Sequence, residues 1–348
     1  MKPDQGNAEQ KGSLITKSDA RITNPALISN VMTELILSSG PPLCVVGNLN
    51  RDVKVQGVPD GPGLFQDGET SVPLITETIG GGGANSACAA AGLGVSVRFL
   101  AKVGADPLAD RLRQALERQG VRTVFACDRG SLTGTTVALG YATGHRHFLS
   151  CLPNNEALKF EDLDLSALDG CGHLLRADVW FSRAMLEGGN RRLLSEARRR
   201  GLATSIDINF DPRWADAPES VIRERKRWLR DVLDLVDMAH GNTRELCEFT
   251  DSPDLPTALG KLADWGVKAV VVHLGAHGAG YSAYGQWVTE PPSLVHHPVK
   301  STGTGDVLSV CMMLLHHRLD LPIERKLRFA NRIVGEFMTG RRQLIPSL

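Results

Sequence analysis

The residues best suited to chemistry lie in a glycine-rich segment near the C-terminus, STGTGD (301–306), which the apolar run VLSVCMMLL follows. Gly303 and Gly305 allow a tight turn that brings several backbone N–H groups to one point, where the apolar run predicts the start of a buried helix. Unpaired N–H groups at a helix start, together with the helix dipole, form an anion-binding site. A bound phosphate would repel Asp306, so we interpret this residue as a base that takes a proton from an attacking hydroxyl group. A helix-capping aspartate is the alternative interpretation.

A second glycine-rich segment, GGGGAN (80–85), also precedes a predicted helix. Its four glycines leave bare backbone that a polar ligand can approach closely. Asn85 offers both a donor and an acceptor, which suits a polyol better than a phosphate. Asn50 and Asp52 follow the first predicted strand, where both side chains can face one cleft and hydrogen-bond the hydroxyls of a sugar. A flexible turn and a polar loop are the respective alternatives.

Two further segments follow predicted strands and have polar or glycine-rich character. Asn242 and Glu245 share one face of a first helical turn, and their oxygen atoms suit a hydrated magnesium ion. A capping box is the alternative for this pair. The segment GAHGAG (275–280) predicts a loop that binds the phosphates or the ribose of a nucleotide. The sequence contains no Walker phosphate loop and no GxGxxG dinucleotide fingerprint.

Short apolar strands that alternate with amphipathic helices must position these residues. The pattern predicts an α/β fold with a doubly wound, mostly parallel sheet, because continuous apolar strands are typical of a sheet covered by helices on both faces. The predicted strands are 42–49, 97–104, 179–182, 204–209, 237–242 and 269–275. The predicted helices are 84–94, 107–120, 190–201, 219–236 and 255–266, and several of them end at glycine.

Two segments, 53–79 and 133–150, interrupt this alternation. They are rich in β-branched residues and turns, and predict hairpins inserted into the α/β body. A small β-sheet beside a larger domain could serve as a lid over a ligand cleft, and ordinary edge strands are the alternative.

The composition narrows the classes of function and of cellular location. The 348 residues contain 39 Lys and Arg and 39 Asp and Glu, so the formal net charge is zero, which disfavours nucleic acid or a membrane surface as a partner. Seven widely spaced cysteines without a CxxC pair fit a reducing, cytoplasmic location. Residues 1–40 predict a polar tail with a possible helix, and residues 41–348 predict the folded domain.

In this order, the motifs resemble those of the ribokinase family of carbohydrate kinases, also called the phosphofructokinase-B type. The resemblance covers about residues 42–342 and is carried mainly by GGGGAN together with TGTGD. It implies a ribokinase-like α/β domain with a small β lid. Lid strands in this family can pair between subunits, and exposed strand edges supply the physical reason, so a homodimer through the lid is an expectation of the resemblance. The resemblance also implies magnesium-dependent transfer of a phosphoryl group from ATP to a sugar or a sugar-like alcohol.

The resemblance further implies a role for individual residues. Asp306 corresponds to the general base, and the backbone of Gly303, Thr304 and Gly305 to the anion hole. The implied sugar ligands are Asp52, Gly81 and Asn85, beside Asn50. The implied contacts to magnesium and phosphate are Asn242 and Glu245, with Glu245 acting through water, and the implied nucleotide contacts are Gly275, Gly278 and Asn331.

The sequence departs from the family pattern at Lys300, where D-T-x-G-A-G-D usually begins with Asp. In many members that Asp helps to hold a monovalent cation. We expect the Lys300 ammonium to replace the charge of this cation, so that activity does not require potassium. A side chain that points to solvent, with the cation site lost, is the alternative.

The departure at Lys300 also suggests an alternative function. In it, a protein with the kinase fold binds sugar or nucleotide without transferring phosphate. A dinucleotide-dependent oxidoreductase is disfavoured because the fingerprint is missing. The sequence leaves the substrate open among several sugars, sugar acids, sugar phosphates and nucleosides. Arg183 and Arg213 are candidate contacts for an acidic group on the substrate.

Overall fold

Two β-sheets organise the part of the chain that the computed structural model describes, which is residues 40–61, 64, 66–293, 295, 302–346 and 348. The tail and helix predicted for residues 1–40 lie, except for residue 40, outside the described residues. In chain order the strands are β1 (Leu43–Val46), β2 (Asn50–Val58), β3 (Leu74–Gly80), β4 (Val97–Gly104), β5 (Val121–Asp128), β6 (Gly134–Tyr141), β7 (Arg146–Cys151), β8 (His173–Arg176), β9 (Ala203–Asp207), β10 (Met238–Asn242), β11 (Ala269–His273), β12 (Ala279–Ala283) and β13 (Gln286–Glu290).

Helices separate most strands of the larger sheet. In chain order they are α1 (Gly82–Gly92), α2 (Pro107–Arg118), α3 (Pro153–Glu156), α4 (Asn190–Arg199), α5 (Glu219–Arg230), α6 (Thr243–Thr250), α7 (Leu255–Asp264), α8 (Thr304–Leu314) and α9 (Ile323–Met338). Within the described ranges, no helix is both long enough and apolar enough to cross a bilayer.

The larger sheet confirms the predicted doubly wound, mostly parallel architecture. Its strand order among the described residues is β13-β12-β11-β10-β9-β8-β1-β4-β5, and only the β11–β12 and β12–β13 pairs are antiparallel. The chain proceeds outward from β1 in one direction through β4 and β5, and in the other direction through β8 to β13. The order therefore reverses between β1 and β8, and a crevice at such a point is where α/β sheets bind ligands.

The apolar core lies on both faces of this sheet. In β1, Leu43 and Val45 belong to one buried cluster, while Cys44 and Val46 belong to the other. The first cluster includes helix α8, whose residues from Val307 to Leu314 are all buried and, apart from Ser309, apolar. Burial on both faces of the sheet explains why β1 carries an uninterrupted apolar run.

The strand predicted at 179–182 is wrong, because the strand is β8 (His173–Arg176) and the chain turns at Asp178. Asp178 has a left-handed backbone conformation, with φ of 54°. Val179 and Trp180 beyond it are nevertheless fully buried, and Trp180 packs edge-on against Trp214 and Phe249. The apolar character of this segment therefore indicated burial and not a strand.

The smaller sheet, which we call the lid, has the order β3-β2-β6-β7 and arises from the two segments for which hairpins were predicted. Side chains along its strands alternate between two faces, up to an irregularity in β2 between Gln56 and Val58. The inner face carries Asp52, Lys54, Thr76, Thr78 and Phe148, and lines a cleft against the larger domain. The outer face carries the apolar side chains of Val53, Ile75, Val137 and Leu149.

Asn154 fastens the base of the lid to the larger sheet. This fully buried side chain accepts a hydrogen bond from Gly134 N at the start of β6 (2.8 Å). Its amide also donates to the carbonyl oxygens of Leu49, just before β2 (3.1 Å), and of Lys102 in β4 (2.7 Å). The two central strands of the lid are therefore held at the same point.

Candidate active site

The candidate site lies in the crevice between the carboxyl ends of β1 and β8. Asp178, just beyond β8, is buried and accepts hydrogen bonds from the backbone N–H groups of Asn48 (2.9 Å), Gly82 (3.1 Å) and Gly83 (2.8 Å). It therefore joins the end of β1 to the start of α1. Sequence reasoning missed Asp178, and the only signal was a carboxylate inside the apolar segment LLRADVW.

The GGGGAN segment makes the turn into α1 that the sequence predicts. Gly81 has φ of 97°, and a Cβ atom at this position would lie 2.3 Å from the carbonyl oxygen of Asn48. Only glycine fits this close approach of two backbone segments. The turn aims Asn85, in the first helical turn, across the crevice.

A single hydrogen bond joins the two glycine-rich motifs, although 221 residues separate them. Asn85 Nδ2 donates to Asp306 Oδ2 over 3.2 Å. Asp306 lies in the first turn of α8. This helix begins directly after Gly303, which has φ of 86°. Two motifs that the sequence linked only by resemblance are therefore in direct contact.

The start of α8 has the backbone arrangement of an anion site. The N–H of Val307 donates to Gly303 O (3.1 Å) as the first turn of the helix closes. The N–H groups of Thr304, Gly305 and Asp306 precede this bond, in the positions that have no intrahelical acceptor. The ring of His273 lies behind Gly305, and its Nε2 is 3.0 Å from Ser309 Oγ. Sequence reasoning missed this supporting histidine.

Burial and neighbouring carboxylates set the protonation of Asp306. Desolvation, with a smaller contribution from the charge of Asp178, raises the pKa of Asp306 to about 8, although the Asn85 hydrogen bond opposes the shift. Asp207, buried at the end of β9, has its pKa raised well above the usual range by desolvation and by the charges of Glu245 and Asp306. Asp207 was placed in a predicted strand but was not recognised as a site residue.

Asn50 and Asp52 lie where the lid meets the larger domain. Asn50 Nδ2 donates to Asp52 Oδ1 (2.8 Å), and burial raises the pKa of Asp52 to about 6. Asp52 and Asn85 line one cleft of about 370 Å³ beneath the inner face of the lid. Thr78, on the same face, has a buried hydroxyl oxygen with no hydrogen-bond partner in the described part of the chain.

Asn242 and Glu245 form a reciprocal capping box at the start of α6. Asn242 Oδ1 accepts from Glu245 N (2.9 Å), and Glu245 Oε2 accepts from Asn242 N (2.8 Å). The structure therefore contains the capping box that was the alternative to a magnesium contact. The two roles are compatible, because a carboxylate has more acceptor positions than one hydrogen bond uses.

The carboxylates near the start of α8 suit a hydrated magnesium ion. Asp207 and Glu245 lie close enough for their charges to interact, and both carboxyl groups have raised pKa values from burial. Across the described residues, no cluster of three or more His, Cys, Asp or Glu could hold a metal directly. Oxygen donors in this sparse arrangement fit Mg²⁺, which keeps several waters and is shared with substrate phosphates.

The predicted nucleotide residues converge on the end of β13. Gly278 has φ of 91°, and a Cβ atom there would lie 2.2 Å from Glu290 O. Asn331, in α9, donates from Nδ2 to Glu290 O (2.9 Å) and Pro291 O (2.8 Å). Gly275 begins the short turn before Gly278. Gly278 and Asn331 therefore both contact the backbone at the end of β13, and Asn331 holds that backbone through two hydrogen bonds.

The two arginines predicted to contact an acidic group lie outside the cleft that Asp52 and Asn85 line. Arg183 and Arg213 line a separate cavity of about 790 Å³ that contains neither Asp52 nor Asn85. Arg183 also pairs with Glu187 over 2.6 Å. Lys300 lies outside the described residues, so its replacement of a cation stays a prediction.

Comparison with known proteins identifies relatives over most of the chain. The family model described as pfkB family carbohydrate kinase matches residues 42–345. The ribokinase of Arabidopsis thaliana is 25% identical over 288 residues, which cover 77% of this chain and 69% of the relative. The structure of that ribokinase complexed with ribose and ATP superposes with a TM-score of 0.67 at 21% identity, covering 86% of this chain and 93% of that one. A PfkB protein from Polaromonas sp. JS666 gives a TM-score of 0.71 at 18% identity, covering 86% and 97%.

The pKa of Asp306 offers a direct test of the site's electrostatics. In the ligand-free protein we expect Asp306 to be mostly protonated at pH 7 and to ionise around pH 8. Asp178→Asn removes a charge that raises this pKa, so the titration should move to lower pH. Carbon-13 NMR of labelled aspartate carboxyls would measure both. Asp110→Asn, on the exposed surface of α2, is the matched control. An Asp306 titration that the two variants shift equally would contradict this account.

Proposed function

Because the chain belongs to the pfkB family of carbohydrate kinases, we propose that it transfers the γ-phosphoryl group of ATP to a sugar hydroxyl, with Asp306 as the general base. The observation that carries this assignment is the contact between Asn85 and Asp306, at the edge of a cleft and beside the start of α8. The proposed base, the proposed polyol ligand and the proposed anion site therefore lie next to one another.

The sugar occupies the cleft beneath the inner face of the lid. Asp52 and Asn85 line this cleft, and the unpartnered hydroxyl of Thr78 adds a third polar contact from within the described residues. Carboxylate, amide and hydroxyl groups together hydrogen-bond a polyol without requiring a charge on it. Bound there, a sugar hydroxyl can replace Asn85 as the partner of Asp306.

Asp306 takes the proton of that hydroxyl as its oxygen attacks the γ-phosphorus. The base must be ionised, and its raised pKa keeps it a strong proton acceptor near neutral pH. The N–H groups at the start of α8 receive the negative charge that develops on the transferred phosphoryl group. The proton ends on Asp306, the phosphoryl group on the sugar, and ADP leaves.

The nucleotide lies on the side of the large sheet formed by β10 to β13. Gly275 and Gly278 shape a turn there, and Asn331 holds the backbone of Glu290 and Pro291. When bound, magnesium neutralises phosphate charge, and Glu245 and Asp207 are the residues that would hold it through water. Closing of the lid excludes water, which protects ATP from hydrolysis.

The proposed base predicts a selective loss of catalysis. With a sugar that supports ADP formation, Asp306→Asn should lower kcat by on the order of 10²–10⁴-fold, because the hydroxyl proton loses its acceptor. The Kd for ATP should change little, since the side chain does not contact the nucleotide in this scheme. Coupled ADP assays over a panel of sugars and calorimetric titration with an ATP analogue measure the two quantities.

Asp264→Asn is the matched control, because this carboxylate is exposed at the end of α7. It should leave both quantities unchanged. Turnover of Asp306→Asn near the wild-type rate would exclude Asp306 as the base. Absence of ADP formation with every sugar of a broad panel would argue against phosphoryl transfer to sugars as a whole.

The outer face of the lid supports a proposal of homodimerisation. The side chains of Val53, Ile75, Val137 and Leu149 form an apolar surface on a four-stranded sheet, and Ile75 and Leu149 are 59% and 54% exposed in the single chain. Exposed apolar patches of this kind mark interaction sites. A second copy offers the same surface, so a two-fold dimer would cover both lids.

Charged residues on this face should therefore dissociate the dimer. We expect Ile75→Asp and Leu149→Asp to shift the wild-type dimer to monomer in sedimentation velocity experiments, because a carboxylate cannot be buried unpaired. Leu319→Asp is the control, since Leu319 is 91% exposed in the loop between α8 and α9. A wild-type protein that sediments as a monomer at all concentrations would contradict the proposal.

A further inference from the structure

On the premise of the proposed kinase function, we infer that the sugar substrate carries an acidic group, a carboxylate or a phosphate ester, which Lys54 binds. Lys54 lies on the inner face of the lid and lines the same cleft as Asp52 and Asn85. Arg183 and Arg213, the residues that the sequence suggests as contacts for an acidic group, line a different cavity.

The register of the lid sets the distance between the sugar ligands and Lys54. Asp52 pairs with Thr78 and Thr136, which makes one polar row across the sheet. Lys54 lies two residues further along β2, in the next row on the same face, opposite Thr76 and Ala138. Successive rows on one face are about 7 Å apart. This spacing is comparable to the length of a sugar, so Lys54 is within reach of a sugar that is bound at Asp52.

The charges that line the cleft favour an anionic ligand. Among its described lining residues, the charged side chains are Asp52, Lys54 and Arg146. Arg146 lies one row beyond Lys54, opposite Gly140 in β6, and its Nη1 is 3.5 Å from Thr302 Oγ1, beside the start of α8. Lys54 is therefore the cation in the row next to Asp52.

A neutral sugar offers this ammonium group no charged partner. Lys54 is partly buried, and its charge lowers the pKa of Asp52 against the effect of burial, so it interacts with the sugar-binding carboxylate. A lysine that served only as a counter-ion to Asp52 would affect neutral and acidic sugars equally. A carboxylate or phosphate on the substrate would instead form a charge-assisted hydrogen bond with Lys54, which is among the stronger polar contacts in water.

The test compares matched pairs of sugars in the ATP-dependent reaction of the full chain. The pairs are glucose with gluconate, ribose with ribose 5-phosphate, and fructose with fructose 6-phosphate. We expect kcat/KM for an acidic member to exceed that of its neutral partner at least tenfold. Preference for gluconate alone identifies a carboxylate, and preference for the phosphate esters alone identifies a phosphate. Both outcomes support the inference.

Substitution of Lys54 then distinguishes a loss of binding to the acidic group from a general loss of activity. Lys54→Met should raise KM for the acidic sugar on the order of 10- to 100-fold, the effect of losing one hydrogen bond to a charged group. The KM for ATP and the KM for the neutral partner should stay within about twofold, and Lys54→Arg should restore part of the affinity. Arg122→Gln, which removes an exposed cation from β5, is the matched control and should leave all three constants unchanged.

Two results would overturn the inference while leaving the kinase proposal intact. One is phosphorylation of the neutral sugars with equal or higher kcat/KM than their acidic partners. The other is a Lys54→Met variant that raises KM equally for both members of a pair, or only for ATP. If no sugar supports ADP formation, the kinase proposal itself fails, and the inference about Lys54 fails with it.

Discussion

The burial of carboxylates at the carboxyl edge of the large sheet is the constraint on which the proposed site depends. Asp178, Asp207, Glu245 and Asp306 come from four different elements, and burial raises the pKa of every one. The fold offsets part of this cost locally, because three backbone N–H groups and the nearby buried cation of Arg176 stabilise the charge of Asp178. The remaining excess of negative charge must be balanced by protons or by cations that arrive with the substrates.

The two sheets contribute groups of different charge to the region of the proposed site. The large sheet holds the buried acidic groups and the start of α8, while the lid contributes polar and cationic groups from its inner face. Because side chains alternate along the lid strands, one face presents polar groups to the cleft, and the opposite face carries the apolar side chains of Val53, Ile75, Val137 and Leu149. The contact between Asn85 and Asp306 lies where the two sheets meet.

Sequence patterns predicted the parts of this site that depend on local backbone chemistry. The glycines at 81 and 303 were recognisable because their conformations exclude other residues, and the alternation of apolar strands with helices was sufficient for the fold class. Asp178 and Asp207 were not recognised, because each is a single carboxylate beside an apolar strand, and its importance arises only from distant partners. Lys54 was not recognised as a cleft residue, because its position depends on the register of the lid. That register is set by pairing between strands far apart in the chain. Asn242 and Glu245 fitted two interpretations, and local geometry alone does not separate them.

The anchoring of the lid by Asn154 has a mechanical consequence. Because one side chain ties the beginnings of both central lid strands to β4, these strands cannot slide independently of each other. A rotation of the lid would therefore move both strands together about that point, with a displacement that is smallest near Asp52 and grows toward the tips of the hairpins. On the proposed closure over a sugar, groups near Asp52 would keep their positions and groups at the hairpin tips would move furthest.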